Sequence, residues 1–231
     1  MREIVLDTET TGLDPAAGHR VVEVACLELM GRIPTGRHFR RYLNPEREMP
    51  EEARTVHGLG DEFLAKQPLF AEVVDAFFEF IDDAPLIIHN APFDLKFLNA
   101  ELARLDRPPL DPARAVDTLS MARRRFPGAQ ASLDALCRRF GIDNAARTFH
   151  GALLDCELLA EVYLELRGGR QPGLNLDPET GTAEVLGVPS SAGAQTPARS
   201  EQPARAHAPS AEEIEAHEAM LARLKAPIWR N

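Results

Sequence analysis

Near the start of the chain the segment Ile4–Gly12 (IVLDTETTG) places two carboxylates two positions apart at the end of an apolar run. In a strand, residues i and i+2 point to the same face. Asp7 and Glu9 therefore stand side by side and repel each other. A fold that contains them must either leave the pair in open solvent or bring positive charge to it.

The apolar residues downstream alternate between strand-like runs and helical spacing. Glu3–Leu6 reads as a first strand, Arg20–Leu29 as a second, and Arg37–Leu43 as a third, antiparallel to the second. Residues 57–64 (HGLGDEFL) read as a loop. Phe70, Val73, Val74, Phe77, Phe78 and Ile81 predict a helix over Phe70–Ile81. Leu86–His89 is a short strand, Pro92–Leu105 a helix and Ala115–Leu119 a brief strand. Helices follow at Leu133–Phe140, ended by Gly141, and at Ala152–Leu166, stopped by Gly168 and Gly169. Strands first, then strands alternating with helices, give an α/β layer fold around a mixed sheet of about five strands.

Beyond Gly168 the composition changes. Residues 187–210 carry four prolines among small polar residues, with almost nothing to bury. This is a flexible linker, read over 169–210. Ser210 and Glu213 then form the capping-box pattern S-x-x-E ahead of a helix with Ile214, Leu221 and Leu224 on one stripe and Met220 beside it. Pro227-Ile228-Trp229 closes the chain. So short a helix has no fold of its own; it docks on the body or on another protein.

The formal net charge of −10 argues against a broad basic surface wrapping duplex DNA, although a metal-charged pocket with local cations still suits one strand. Three cysteines, Cys26, Cys137 and Cys156, follow no metal spacing and are odd in number, so a reducing cytoplasm is the simplest setting. The chain opens on MREIVLD, without a cleavable hydrophobic signal, and no apolar run approaches bilayer-spanning length, so no membrane role is expected.

Two further carboxylates resemble the opening pair. Asp94 lies after HNAPF, near the start of a helix that follows a strand, and Asp155 starts the last body helix, five residues after His150. Alone, each has an ordinary reading: a carboxylate in a first turn complements the helix dipole. Together they change it. In α/β folds, sites collect at the carboxyl ends of strands. Carboxylates converging there need a cation, and oxygen ligands without a Cys/His cluster favour Mg²⁺ or Mn²⁺. Two such ions about 4 Å apart suit phosphodiester hydrolysis, with a histidine beside the attacking water as proton acceptor.

The motifs LDTETTG (6–12), IHNAPFDLKFL (88–98) and HGALLD (150–155), with VHGLGDEF (56–63), SLDALCRRFGID (132–143) and LAEVYL (159–164), resemble the DEDD exonuclease superfamily in its histidine branch. Within it they resemble the epsilon, proofreading, subunits of bacterial DNA polymerase III. The resemblance implies a ribonuclease H-like fold with a flexible C-terminal tail, and a 3′–5′ exonuclease domain over 1–168. Asp7, Glu9, Asp94 and Asp155 would ligate the two cations, with Asp7 bridging, and His150 would be the general base. Thr8, Thr10, Thr11 and Gly12 would offer N–H groups or hydroxyls to the terminal nucleotide, although Gly12 equally reads as a turn residue. Leu13, His57 and Phe93 would line the nucleotide pocket and Asn90 would orient it, with Asp7, Glu9 and Asp155 also touching substrate. A single-stranded or frayed DNA 3′ end would be the substrate, released as nucleoside 5′-monophosphates.

The same resemblance implies partners. Gln171–Leu176 (QPGLNL) is similar to peptides that dock on the sliding clamp, and 211–231 to the tail that binds the polymerase alpha subunit. Whether a small accessory subunit binds the body stays open. The rival readings are a free exoribonuclease on the same fold and a polymerase scaffold with a vestigial cleft. The lack of G-x-G-x-x-G after the first strand argues against a dinucleotide-binding enzyme.

Overall fold

The sheet forms where apolar residues alternate or run continuously. The computed structural model describes residues 1–145, 149–169 and 210–223. Its strands are β1 (Arg2–Thr10), β2 (Val21–Met30), β3 (Ile33–Tyr42), β4 (Leu86–Ile88) and β5 (Ala115–Asp117). They make one five-stranded sheet in the order β3-β2-β1-β4-β5. β1 is central, antiparallel to β2 and parallel to β4, so the sheet is mixed as expected. A two-residue turn with positive φ at both Gly31 and Arg32 joins β2 to β3. Such turns match the right-handed strand twist.

The body helices are α1 (Glu51–His57), α2 (Asp61–Leu64), α3 (Phe70–Ile81), α4 (Ala91–Ala103), α5 (Thr118–Arg125), α6 (Leu133–Phe140) and α7 (Ala152–Leu166). Strand alternation sends Ile4 and Leu6 of β1 into one core with Phe77, Ile81, Phe97 and Leu98 of α3 and α4. Val5 goes to the opposite core with Leu136, Leu159 and Val162 of α6 and α7. The sheet is thus covered on both faces. Arg20, just before β2, grips Glu101 of α4 through two bonds of 2.7 and 2.8 Å and fixes that helix against the sheet. Cys26, Cys137 and Cys156 are buried.

Several boundaries differ from the sequence reading. β1 does not stop at Leu6: Asp7 and Glu9 lie inside it, paired with Ala25 and Glu23. β3 begins at Ile33 rather than Arg37, because an edge strand tolerates Pro34 and Gly36. The segment read as a loop at 57–64 contains the end of α1 and all of α2, both too short to show a helical period. The strand read over Ala115–Leu119 ends at Asp117, which caps α5.

The chain divides into two units, Met1–Leu176 and Asp177–Asn231. In the second, α8 (Ala211–Arg223) begins with the expected capping box: Ser210 N–H donates to Glu213 and Glu213 N–H to Ser210 Oγ, at 2.7 and 3.2 Å. The peptide 171–176, most of the linker, Leu224 and Pro227–Trp229 lie outside the described residues. Among the described residues no helix is long and apolar enough to cross a membrane.

Candidate active site

Period-2 alternation puts Asp7 and Glu9 on the β1 face that packs against α7. Asp155, in the first turn of α7, is buried beside them. α7 is seated there by Cys156, whose thiol reaches the carbonyls of Val5 and Ala25 at 3.7 and 3.5 Å. His150, one residue before the helix cap, docks on α1 by donating its N–H to Val56 O at 3.0 Å. Its Nδ1 lies 3.6 Å from Asp155 Oδ2. One ligand atom each of Glu9, His150 and Asp155 lies within 4.8 Å of the others. Asp7 and Asp94 line the same cleft outside that tight group.

Asp94 arrives from the other face of the sheet. It is buried in the first turn of α4, and Thr8 donates to its Oδ1 at 2.7 Å. The chain enters α4 through Asn90 in the left-handed region, φ 67°. That turn is clamped by Asp117, whose Oδ1 accepts from Asn90 and Ala91 N–H at 3.0 and 3.4 Å while also capping α5 through Leu119 N–H at 3.1 Å. Burial pushes the Asp117 carboxyl up, but the bonds from Ser120, Ala91, Asn90 and Leu119 together hold it below the usual range. Sequence reasoning missed this residue. Its signal was present, since Asp directly before Thr-Leu-Ser is a helix N-cap pattern.

The electrostatics are those of a site that takes a cation. Burial, then Asp94, Glu9, Asp155 and Glu23, raise Asp7 well above the usual carboxylate range. Burial raises Asp94 to about 7, against the hydrogen bond from Thr8. Glu23 stands directly opposite Glu9 in the β1–β2 register, where like charges destabilise a sheet. Arg40 on β3 offsets this by donating from Nε to Glu23 Oε1 at 2.6 Å. This ion pair is a second feature the sequence did not reveal. The register shifts between Glu9 and Thr10, whose partners are Glu23 and Val21, so Val22 forms a bulge beside the carboxylates. The four carboxylates, with no cysteine among the described residues lining the cleft, fit a hard divalent cation.

A second cavity adjoins the first and shares Thr8, Glu9 and Phe93 with it. Its volume is about 530 Å³ and Thr10, Thr11, Gly12, Leu13 and His57 also line it. The expected nucleotide-pocket residues are therefore brought together, while Asn90 lines the carboxylate cleft. His57 Nδ1 accepts from Leu59 N–H at 3.1 Å, and burial lowers its pKa, so the ring is neutral with its proton on Nε2. The threonine hydroxyls serve the protein itself. Thr8 holds Asp94, Thr10 donates to Gly12 O at 2.6 Å, and Thr11 accepts from Arg20 N–H at 3.0 Å and meets His19 Nδ1 at 3.1 Å. Gly12 has no left-handed φ; a Cβ there would lie 2.4 Å from the His19 ring, so close packing and not a turn requires glycine.

A model of the exonuclease family RNase_T matches residues 4–163. The DNA polymerase III subunit epsilon of Rickettsia conorii is 49% identical over 227 residues, covering 97% of this chain and 96% of the relative. That of Escherichia coli K12 is 44% identical over 227 residues, covering 95% and 92%. Among solved structures, the nuclease domain of 3′hExo, a DEDDh family member bound to rAMP, superposes with a TM-score of 0.63 at 17% identity, over 71% of this chain and 90% of that one. Exonuclease X in complex with 5′ overhanging duplex DNA gives 0.56 at 22% identity, over 71% and 90%.

Proposed function

We propose that this chain, which belongs to the DNA polymerase III epsilon family of exonucleases, removes mispaired nucleotides from DNA 3′ ends by metal-dependent hydrolysis, releasing nucleoside 5′-monophosphates. The observation that carries this reading is the convergence of Asp7, Glu9, Asp94, Asp155 and His150 on one cleft beside a nucleoside-sized cavity.

Asp7, Glu9, Asp94 and Asp155 would hold two divalent cations, Mg²⁺ or Mn²⁺. Bound there, such ions lower the pKa of the attacking water and offset charge on the leaving oxygen. The remaining work falls to the chain. Burial and neighbouring carboxylates raise the pKa of Asp7, and burial raises that of Asp94, which favours a compensating cation beside them. His150 accepts the proton of the attacking water, and Asp155 beside its Nδ1 stabilises the imidazolium that results. Leu13, His57 and Phe93 enclose the terminal nucleoside, Thr10, Thr11 and Gly12 shape its floor, and Asn90 steers the strand toward it. Only an unpaired end threads so narrow a site. A mispaired terminus has less stacking to lose, and selection follows from that.

Residues 1–168 form the exonuclease, 169–210 a tether and 211–231 the element that binds the polymerase alpha subunit. Gln171, Leu174 and Leu176 dock on the sliding clamp. A tether of roughly forty residues keeps the exonuclease at high local concentration near the growing end. The setting is the cytoplasmic replication machinery.

The test is degradation of a 3′-labelled primer, paired and mispaired, with Mg²⁺ and then EDTA, beside an RNA oligomer of equal length. Faster loss of the mispaired DNA end, abolished by EDTA, is the expected result. Preference for the RNA would move the protein to the exoribonuclease reading, and no hydrolysis of any substrate would leave a scaffold.

A further inference from the structure

α5 ends in three arginines, Arg123, Arg124 and Arg125. Cations in a last turn complement the helix dipole, which is sufficient reason for such a run. Arg125 also has a partner, since it donates to the Glu165 carbonyl and lies over the Phe126 ring. Arg123 differs in position: it lines the carboxylate cleft, with Leu119 one turn earlier on the same helix. Its side chain is exposed and, among the described residues, makes no ion pair, although Asp134 lines the same cleft. An exposed guanidinium in a carboxylate-lined cleft is a place for an anion from outside the chain, and its fork geometry suits phosphate oxygens.

The two cavities say which phosphate. The cavity lined by Leu13, Val56, His57 and Phe93 is the apolar one and accepts a nucleoside. The two meet at Thr8, Glu9 and Phe93, next to Asp155 and His150, where the scissile phosphate must sit. The strand therefore continues through the rest of the carboxylate cleft, past His89, Asn90, Leu119 and Arg123. We infer that Arg123 binds the phosphodiester one nucleotide upstream of the scissile bond, so that it grips the strand being shortened rather than the nucleotide being released. This rests on the proposed exonuclease activity.

The test compares R123A and R123K with the wild-type full chain on two substrates. One is a single-stranded oligodeoxynucleotide; the other is the p-nitrophenyl ester of thymidine 5′-monophosphate, which has a scissile phosphate and none upstream. R123A is expected to raise KM for the oligonucleotide roughly tenfold, with a much smaller change in kcat and a much smaller effect on the ester. The slope of log KM against log salt should fall by about 0.7, the value for one phosphate contact on a single strand. R123K should recover most of the KM. A neutral methylphosphonate at the upstream linkage should raise the wild-type KM to the R123A level and add nothing in R123A. An unaltered KM and salt slope would overturn the inference, leaving Arg123 as a helix-end charge. So would equal losses on both substrates, or a methylphosphonate penalty that persists in R123A. A wild-type protein inactive on both substrates would overturn the exonuclease reading itself, whereas an active wild type with an unaffected R123A overturns only the arginine's role.

Discussion

The Thr8 hydroxyl donates to Asp94 Oδ1 at 2.7 Å across 86 positions of sequence, and both groups are buried. This bond joins the central strand to the first turn of α4 and is the contact that holds the Asp94 carboxyl in its acceptor orientation. Thr8→Val keeps the shape and removes the donor. The loss of a hydrogen bond to a charged group is expected to lower kcat roughly tenfold and to raise the Mg²⁺ concentration needed for half-maximal rate. Thr8→Ser should retain most activity. A metal titration of the hydrolysis rate checks both, and a valine variant that titrates like the parent would exclude the role.

Asp94 predicts a pH dependence of stability. Burial lifts its folded pKa to about 7 from a usual value of 3.8. The folded state then binds more protons than the unfolded chain between those values, so the metal-free protein loses stability as pH rises through that window. Asp94→Asn removes the titration. In EDTA at pH 8 the variant should be more stable than the parent by on the order of 2–4 kcal/mol, with the advantage shrinking toward pH 4. Denaturant unfolding at the two pH values measures it. A difference independent of pH would refute the assignment.

Glu23 is 1% exposed and faces Glu9 across the β1–β2 register, and Arg40 is the cation that compensates it. Arg40→Met leaves a buried carboxylate facing Glu9 without its cation. Breaking such a pair costs about 3–5 kcal/mol when fully buried, and Arg40 is 37% exposed, so a loss of roughly 2 kcal/mol is expected. The double variant with Glu23→Gln should recover most of it. Thermal unfolding of the two variants gives the answer, and an unrecovered loss would point to packing instead of charge.

Gly12 and His19 make a steric prediction. A methyl group at Gly12 would lie 2.4 Å from the His19 ring. Gly12→Ala should therefore displace the ring and cost about 1–3 kcal/mol as overpacking. Adding His19→Ala should restore stability, which a backbone-conformation requirement at Gly12 would not allow. Differential scanning calorimetry of the single and double variants separates the two causes.

The tail and the body are expected to divide their functions. Deleting 211–231 should abolish binding to the polymerase alpha subunit and leave hydrolysis of single-stranded DNA intact. Co-elution and a nuclease assay on the same preparation check this; equal binding by the truncated chain would contradict it.

Much of the fold is legible from local pattern. α3, α6 and α7 have the boundaries read from the sequence, because amphipathic spacing and end signals agree. Ser132 caps α6, accepting from Ala135 N–H at 3.3 Å, and Gly141 ends it with φ 69°. α1 and α2 escaped because so short a helix has no apolar period to detect, and α5, although as long as α6, carries little apolar surface.

The same division runs through the site. Residue type and spacing alone place Asp7 and Glu9 on one strand face, since a period of two needs no tertiary contact. They also place Asp94 and Asp155 at helix starts, through the local motifs around them. What holds these groups depends on contacts that local pattern does not reveal: Thr8 on Asp94, Asp117 clamping the turn at Asn90, Arg40 diagonal to Glu23, and His19 packed on Gly12. None of the four has a sequence period or cap pattern joining its two members, because each pair meets only when the pairing of neighbouring strands, the path of a connecting segment or the seating of a helix brings its members together. Local chemistry determined which groups are candidates for the site, and packing across the sheet decided their partners and their burial.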